Sequence, residues 1–295
     1  MKVLLYGADG WIGSKVQTLL EAAGHHVSRG TMRAEDQEGL LAEIRTVNPS
    51  HIMSFIGRTH GVIDGNVYST IDYLEQPGKI KENVRDNLYS PVVLALVAQQ
   101  FKIHFTYMGT GCIFEYDDTH SFGTEVNGFT EESVPNFFGS SYSVVKGYTD
   151  RIMHMLEDHV LNVRIRMPIT SEVHSRNFIT KITRYEKVCS VPNSMTVLDE
   201  LLPIMIDMAR HGYTGTVNLT NPGLISHNEI LELYKEIVDP TFTWKNFTIE
   251  EQAEILAAGR SNNFMDTTRL ISWYPSVRPI KDAIRATLSK MKQTM

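Results

Sequence analysis

The sequence is short of cysteine, with Cys112 and Cys189 the two thiols among 295 residues. Two cysteines cannot supply the disulfide framework of a small secreted protein, which favours a reducing compartment and predicts a cytoplasmic location. Long apolar runs are missing too, since no stretch approaches the ~20 residues of a membrane span. The segment 1–6 is too short for a signal peptide before glycines begin. We therefore predict a soluble protein without a membrane partner.

Positive charge is also scarce. The chain has 28 Lys and Arg against 34 Asp and Glu, for a net charge of -6, and no block of like charge occurs. Since nucleic-acid binding needs a basic surface, we predict no nucleic-acid partner. No cluster of His, Cys and carboxylates has the spacing of metal ligands, so no metal site is predicted. Apolar residues are plentiful at 42%, which suffices for a sizeable core.

The N-terminus carries the first motif. Residues 3–6 form a short apolar run typical of a buried parallel strand, and a glycine-rich turn and an amphipathic helix follow. The turn contains Gly7, Gly10 and Gly13, with Trp11 and Ile12 between the last two. In dinucleotide-binding folds such glycines permit a tight turn, close approach of the pyrophosphate and close helix–strand packing. The spacing is G-x-x-G-x-x-G, and we predict a dinucleotide site here.

The end of the second predicted strand, 26–28, bears on the choice of dinucleotide. It lacks the acidic residue that binds a ribose 2′-hydroxyl in NAD-dependent proteins. Arg29 and Arg33 stand there instead, and arginine suits a 2′-phosphate. The sequence therefore favours NADPH.

Strands and helices alternate over the first 167 residues. A strand at 51–56 leads to Gly57, a long helix spans 83–101 with a kink expected at Pro91, and further strands are predicted at 105–108 and 160–167. This pattern predicts an α/β fold with a Rossmann-type doubly wound parallel sheet. We expect a nucleotide-binding domain at 1–167 and a smaller C-terminal α/β substrate lobe at 168–295, with some segments returning to the first.

Two further motifs lie where an α/β fold places its ligands. Thr110 and Cys112 follow a predicted strand, at the carboxyl edge of the sheet. Tyr142 and Lys146 are four apart on a predicted helix, so they share one face. An ammonium beside a phenol favours the phenolate, and we therefore expect Lys146 to lower the pKa of Tyr142 and make it a proton donor or acceptor.

Together these residues resemble the signature of the extended short-chain dehydrogenases/reductases. Longer stretches resemble the nucleotide-rhamnose synthase/epimerase-reductases, which occur in plants and in some giant viruses. They are 10–13, 68–78, 82–88, 176–182, 192–203 and 260–263. The resemblance covers nearly the whole chain.

The resemblance implies conversion of a UDP-linked 4-keto-6-deoxyglucose to UDP-L-rhamnose, by epimerisation at C3 and C5 and NADPH-dependent reduction at C4. It implies that dTDP-linked sugars are often accepted and that the protein forms a homodimer. The implied cofactor contacts are Gly7, Gly10, Trp11, Ile12, Gly13, Arg29, Arg33, Gly57, Asn87, Tyr142, Lys146 and Pro168. The implied substrate contacts are Tyr73, Gln76, Asn177, Arg260, Asn262 and Asn263.

The chemistry needs a base and an acid on opposite faces of the sugar for each inversion. Related fucose synthases use a cysteine and a distant histidine; Cys112 matches the former, and Lys181 stands in the stretch that matches the latter. We assign Cys112 as base and Lys181 as acid, with exchanged roles left open and His174 as a second candidate acid. For the reduction, Tyr142 donates the proton to O4.

In the same reduction, Thr110 hydrogen-bonds O4, and Lys146 holds the nicotinamide ribose and keeps Tyr142 acidic.

Other functions remain open at this stage. The chain could be a simple reductase acting after a separate epimerase. It could also be a regulatory binding protein like the regulatory subunit of methionine adenosyltransferase, although the Thr110, Tyr142 and Lys146 set disfavours this. An epimerase with tightly held NAD is disfavoured by Arg29.

Overall fold

The computed structural model describes residues 1–294 and forms two compact units. The first contains Met1–Ile113, Phe137–Arg164 and Pro203–Val217. The second contains Phe114–Asn136, Ile165–Leu202 and the described residues from Asn218 onward. Residues 203–217 lie in the first unit, and residues 114–136 lie in the second. The functions predicted for the two lobes stay predictions.

The elements up to residue 165 alternate as the sequence predicts. They are β1 (Lys2–Tyr6), α1 (Trp11–Ala22), β2 (His26–Arg29), α2 (Gln37–Val47), β3 (His51–Ser54), β4 (Gly61–Ile63), β5 (Asn66–Tyr68), a 3₁₀ turn (Ile71–Glu75), α3 (Ile80–Val84), a π-helical turn (Arg85–Tyr89), α4 (Ser90–Phe101), β6 (His104–Thr110), α5 (Ser141–Met155) and β7 (Val160–Ile165).

The remaining elements are shorter on average. They are β8 (Pro168–Ile169), α6 (Phe178–Ile182), β9 (Lys187–Val188), β10 (Thr196–Val197), α7 (Leu198–Arg210), β11 (Gly215–Asn218), α8 (His227–Ile237), β12 (Lys245–Asn246), α9 (Ile249–Ile255), α10 (Thr268–Trp273) and α11 (Ile280–Thr294). Among the residues that the structure describes, no helix has both the length and the apolar character needed to cross a bilayer.

A six-stranded sheet organises the first unit, with strand order β11-β7-β6-β3-β1-β2. The β1 strand pairs in parallel with β2 and β3, and β3 pairs in parallel with β6. The core beside it joins apolar side chains of the strands to those of α2 and α4, including Leu4, Ile44, Leu94 and Phe105. The order reverses direction between β1 and β3, which is the point where such sheets bind dinucleotides. The predicted Rossmann-type fold is confirmed.

The predicted helix 83–101 is not one α-helix. Its α-helical parts, α3 and α4, are separated by the π-helical turn directly before Pro91. Proline has no N–H to donate to the carbonyl four residues earlier, and its ring crowds that carbonyl. The carbonyl is that of Asn87, and it accepts a hydrogen bond from Thr149 Oγ1 at 2.7 Å. The expected kink is therefore a π-turn, which locks the chain at Asn87 onto α5.

The second unit has its own core. Buried side chains from α6, α8 and α11 pack together, among them Ile179, Leu231 and Leu288. The α8 helix begins with the predicted capping box, in which Ser226 and Glu229 bond each other's backbone N–H. Its strands are two-residue pairs, β8 with β10 and β9 with β12. This unit is consequently held mainly by helix packing.

Candidate active site

The glycine turn after β1 has the geometry of a dinucleotide site. Gly7 has a φ of +79°, and a Cβ there would lie 2.8 Å from the Phe55 carbonyl carbon. A Cβ on Gly13 would lie 2.1 Å from Gly7 O, so α1 approaches the turn more closely than any side chain permits. Gly10 begins α1 without a side-chain cap. These features leave space and backbone N–H groups for a pyrophosphate at the helix N-terminus.

The two arginines beyond β2 have different partners. Arg29 donates to Asp9 Oδ1 at 3.0 Å and to Gln17 Oε1 at 2.9 Å, and both side chains of the Arg29–Asp9 pair are largely exposed. Arg33 lies 3.6 Å from Glu35. Exposed pairs of this kind are weak and exchange readily for a stronger anion. Both guanidinium groups therefore remain candidates for a 2′-phosphate.

Asn87 holds the loop after β3. Its Oδ1 accepts from Arg58 N at 2.9 Å, and its Nδ2 donates to Arg58 O and to Asn83 Oδ1, both at 2.8 Å. A Cβ on Gly57 would lie 3.3 Å from Asn87 Oδ1. Asn87 therefore lies beside Gly57 and fixes the backbone of this loop through Arg58.

The end of β6 and the start of α5 bring together the predicted catalytic hydroxyls. Thr110 Oγ1 accepts from Cys112 N at 3.0 Å and also hydrogen-bonds the Tyr142 phenol. Ser140 caps α5 by accepting from Ser143 N at 3.1 Å, which fixes the first turn that carries Tyr142. The Cys112 side chain is half-buried, and its charge acts on Tyr142. Thr110, Cys112 and Tyr142 therefore form one local group.

The expected effect of Lys146 on Tyr142 is wrong for this structure. The pKa of Tyr142 is raised, first by burial and second by the charge of Cys112, while the bond from Thr110 opposes the change. Lys146 Nζ instead donates to the Tyr107 hydroxyl and to Met108 O. Burial lowers the pKa of Lys146 to about 7, although Asp150 and Cys112 oppose the shift. Lys146 therefore lies one helical turn after Tyr142 on α5, but the hydrogen bonds of Lys146 go to β6.

In the second unit, Lys181 lies among cations. Burial in the first place, and then the charges of Arg176 and Arg260, lower its pKa to about 8. Lys181 is in the last turn of α6, and Arg176 directly precedes the residue that caps this helix. A lysine near pKa 8 exchanges its proton readily at neutral pH, as a general acid must. Arg176 and Arg260 together provide positive charge suited to phosphates.

Two asparagines predicted to contact substrate serve the backbone of this unit. Asn177 caps α6 and donates to Thr170 O at 2.8 Å and Glu172 O at 2.7 Å. Asn263 is fully buried and donates to Phe114 O at 2.9 Å. These bonds fix the start of α6, which carries Lys181, and the segment around Arg260. A direct contact of either asparagine with substrate stays a prediction.

The other predicted substrate residues are also tied locally. Tyr73 donates to Glu82 Oε2 at 2.7 Å, and Gln76 donates to Asp72 O at 3.0 Å. Asn262 Oδ1 accepts from Asn193 at 2.8 Å. Their sugar or phosphate contacts stay predictions. Two further predicted residues lie in short segments. Pro168 begins β8, and His174 Nδ1 accepts from Arg176 N at 3.0 Å.

Sequence reasoning missed three residues of these groups. Asp150 is one helical turn beyond Lys146, and this spacing of four was the available signal. Arg176 lies inside a stretch used for the family resemblance, yet was given no role. Tyr107 had no signal, because its contact with Lys146 joins positions 39 residues apart.

The fold and the first group of side chains define a class of Rossmann-fold proteins in which a threonine, a tyrosine and a lysine act beside a dinucleotide turn. No protein-family model matches the sequence. The chain is 45% identical over 282 residues to a bifunctional dTDP-4-dehydrorhamnose 3,5-epimerase/dTDP-4-dehydrorhamnose reductase of Arabidopsis thaliana, covering 95% of this chain and 90% of that protein.

Solved structures give the same picture. The L780 UDP-rhamnose synthase from Acanthamoeba polyphaga mimivirus is 56% identical, with a TM-score of 0.94 over 98% of this chain and 99% of that one. A dTDP-4-dehydrorhamnose reductase from Bacillus anthracis in complex with NADP, at 16% identity, shares the fold with a TM-score of 0.77 over the full length of both chains. This chain belongs to the family of 3,5-epimerase/4-reductases of nucleotide-linked 4-keto-6-deoxy sugars. The family predicted from sequence is confirmed.

Proposed function

We propose that this protein makes UDP-L-rhamnose from UDP-4-keto-6-deoxyglucose, by epimerisation at C3 and C5 followed by NADPH-dependent reduction of the C4 ketone. The observation that carries the proposal is the 56% identity to a UDP-rhamnose synthase over nearly the whole chain, together with the intact Thr110, Cys112, Tyr142 and Lys146 group. Both the oxidoreductase and the isomerase activity follow from this family.

A nicotinamide dinucleotide fits the first unit. The glycine turn and the N-terminus of α1 hold its pyrophosphate, and Asn87 keeps the Gly57 loop in place. When bound, the cofactor supplies the hydride for the ketone. NADPH is favoured over NADH by Arg29 and Arg33, whose exposed ion pairs leave them available to a 2′-phosphate.

The chain's own residues move the protons. The C4 ketone acidifies the C–H bonds at C3 and C5, so a base removes each proton and an acid returns it on the other face. Cys112 is the base: its side chain is half-buried beside Thr110 and Tyr142. Lys181 is the acid, since its pKa of about 8 permits proton donation near neutrality. Tyr142, bonded to Thr110, then protonates O4 as the ketone is reduced.

Arg260 supports the diphosphate of the sugar nucleotide, and Arg176 adds to the same positive field. Asn262, Asn263 and Asn177 hold the loops around these cations. We also propose a cytoplasmic location, consistent with two free cysteines. A homodimer is proposed from the family pattern of paired helices, and the apolar surface of α4 and α5, with Leu96 at 48% and Met155 at 82% exposure, supports it.

The test is incubation with UDP-4-keto-6-deoxyglucose and NADPH in heavy water. We expect UDP-L-rhamnose that carries deuterium at C3 and C5, with one NADPH oxidised for each product. The Cys112→Ser variant should incorporate no deuterium at these carbons but still oxidise NADPH when given the epimerised 4-keto sugar. Reduction without deuterium at C3 or C5 in the wild type would indicate a simple reductase. No NADPH oxidation would indicate a binding protein.

A further inference from the structure

The environment of Lys146 contains a residue that the proposed chemistry does not yet use. Lys146 is 5% exposed, and its Nζ donates to the hydroxyl of Tyr107 and, at 3.3 Å, to Met108 O. The same Nζ lies 4.5 Å from the centre of the Tyr107 ring. One side chain therefore offers the ammonium both a hydrogen-bond acceptor and an aromatic face.

Tyr107 is placed to do this by the sheet. It lies in β6, three residues before Thr110, and is 1% exposed. Burial raises the pKa of Tyr107 well above its usual value, with the charges of Tyr142 and Asp150 in the same direction, so its phenol stays neutral. A neutral phenol oxygen can accept from an ammonium without competing for its proton. The strand that delivers Thr110 thus also holds the lysine of α5.

Two charged groups act on Lys146, and both favour its ammonium form. From α5 it faces Asp150, and from the segment after β6 it faces Cys112. Asp150 is bound by Arg164 from β7 at 2.7 and 2.8 Å, with His154 at 3.6 Å. Because Arg164 binds both carboxylate oxygens, Asp150 supports the lysine through its charge.

We propose that Tyr107 is a positioning residue for Lys146. The hydroxyl and the ring of Tyr107 keep the buried ammonium of Lys146 charged and fixed one turn from Tyr142. The inference rests on the proposed function, since it gives the lysine a cofactor and a proton donor to act on. Tyr107 acts on the cofactor and on the proton donor only through Lys146. A phenylalanine would fill the same space in the core, so the hydroxyl is the part that distinguishes positioning from packing.

The Tyr107→Phe variant tests this by removing one acceptor from a buried cation. Loss of a charge-assisted hydrogen bond favours the neutral amine, so the defect should grow above the pKa of Lys146 and shrink below it. We expect the dissociation constant for NADP⁺, measured by quenching of tryptophan fluorescence, to rise about tenfold at pH 8 and about twofold or less at pH 6. The kcat for reduction should follow the same pH pattern.

Thr106→Val is the matched control. Thr106 is the neighbour of Tyr107 on β6, is fully buried, and has a hydroxyl without a hydrogen-bond partner among the described residues. This variant also deletes one buried hydroxyl from the strand, and its cofactor affinity should match the wild type at both pH values. An equal loss in both variants, or a loss in Tyr107→Phe that does not change with pH, would show that the tyrosine only packs the core.

A second variant keeps the inference open to test if Tyr107→Phe does not fold, which thermal unfolding would report. Tyr107→His retains a ring nitrogen that can accept while the imidazole is neutral, so it should bind NADP⁺ close to the wild type at pH 8 and more weakly than the wild type at pH 6, where protonation turns the acceptor into a second cation. Wild-type behaviour of both variants at both pH values overturns the inference. If the wild type itself does not bind NADP⁺, the proposed function fails instead, so the two failures are distinguishable.

Discussion

Each of the two units carries a lysine with a lowered pKa, and the charges that surround the two lysines have opposite signs; Lys146 is buried and Lys181 is partly buried. Burial is the main cause for both, with Lys146 at about 7 and Lys181 at about 8. Around Lys146 the charges of Asp150 and Cys112 oppose the loss of the proton. Around Lys181 the charges of Arg176 and Arg260 promote it. The charges alone favour the ammonium form of Lys146 and disfavour that of Lys181, but burial outweighs them at Lys146, whose pKa is the lower of the two. Lys146 therefore depends on further support to remain a cation, whereas Lys181 is surrounded by cations that promote donation of its proton.

The largest expected effect comes from removing each lysine in turn. Lys146→Met should lower the reduction rate of the already epimerised 4-keto sugar, and Lys181→Met should lower proton exchange at C3 or C5, each by about 10²–10⁴-fold, the usual contribution of a positioned acid or base. NADPH oxidation and deuterium incorporation measure the two steps separately. Lys235→Met, on the exposed face of α8, is the control.

The comparison fails if both lysine variants lose the same step to the same extent. That result would give Lys146 and Lys181 one shared role, and the difference between their surroundings would have no consequence for the chemistry.

The next effect concerns the carboxylate beside Lys146. Asp150→Asn leaves Arg164, which is fully buried, without its counter-charge. Breaking one partner of a buried ion pair typically costs about 3–5 kcal/mol, so the free energy of unfolding in urea should fall by about that amount. Asp207→Asn removes a carboxylate whose partners, Arg210 and His211, are about half exposed, and should cost less than ~1 kcal/mol. Equal effects in the two variants would mean that Asp150 does not neutralise a buried charge.

A smaller effect is expected from histidines, one in each unit. Burial lowers the pKa of His51 and of His227 from 6.5 to about 4. The folded state therefore keeps them neutral while the unfolded chain takes up protons below about pH 6.5. The stabilisation is complete above that pH and is lost as the pH falls toward 4. For His51, which is partly exposed, we expect a loss of about 1 kcal/mol, and for His227 about 2 kcal/mol.

Urea unfolding of His51→Asn and His227→Asn at pH 7 and pH 4.5 measures these contributions. Each variant should lose less stability than the wild type on acidification. The exposed His211, replaced in the same way, provides the control. An unchanged pH dependence in His227→Asn would mean that the pKa of this ring is the same in the folded and the unfolded chain.

Much of the fold could be predicted because its signals are local. The glycine turn, the amphipathic α1 and the capping box of α8 each depend on residues within a few positions of one another. The π-turn could not be predicted in detail, because it depends on Thr149 bonding the carbonyl that Pro91 leaves without a donor. That contact joins positions 62 residues apart.

The site shows the same limit. The residue types at Thr110, Tyr142 and Lys146, together with the glycine turn and the longer matching stretches, were sufficient to identify the family. The direction of the Tyr142 pKa shift was wrong, because the helical spacing of four says that two side chains share a face and not where their hydrogen bonds go. Lys146 donates its hydrogen bond to Tyr107, so Tyr142 is hydrogen-bonded by Thr110 and its pKa is raised mainly by burial. Contacts between a helix and a strand decide such shifts, and periodicity does not reveal them.

The smallest predicted effect sharpens the comparison of the two lysines directly. Arg176→Met removes one of the two cations that lower the pKa of Lys181, so this pKa should rise from about 8 toward its usual 10.5 without reaching it, because burial remains the main cause. If Lys181 donates a proton, the high-pH limb of the epimerisation profile should move upward, with less than about a tenfold change in rate at pH 9. The reduction profile, which depends on Tyr142 and Lys146, should stay in place. A shift in both profiles would mean that Arg176 acts on substrate binding, and no shift in either would remove Lys181 from the proton transfer.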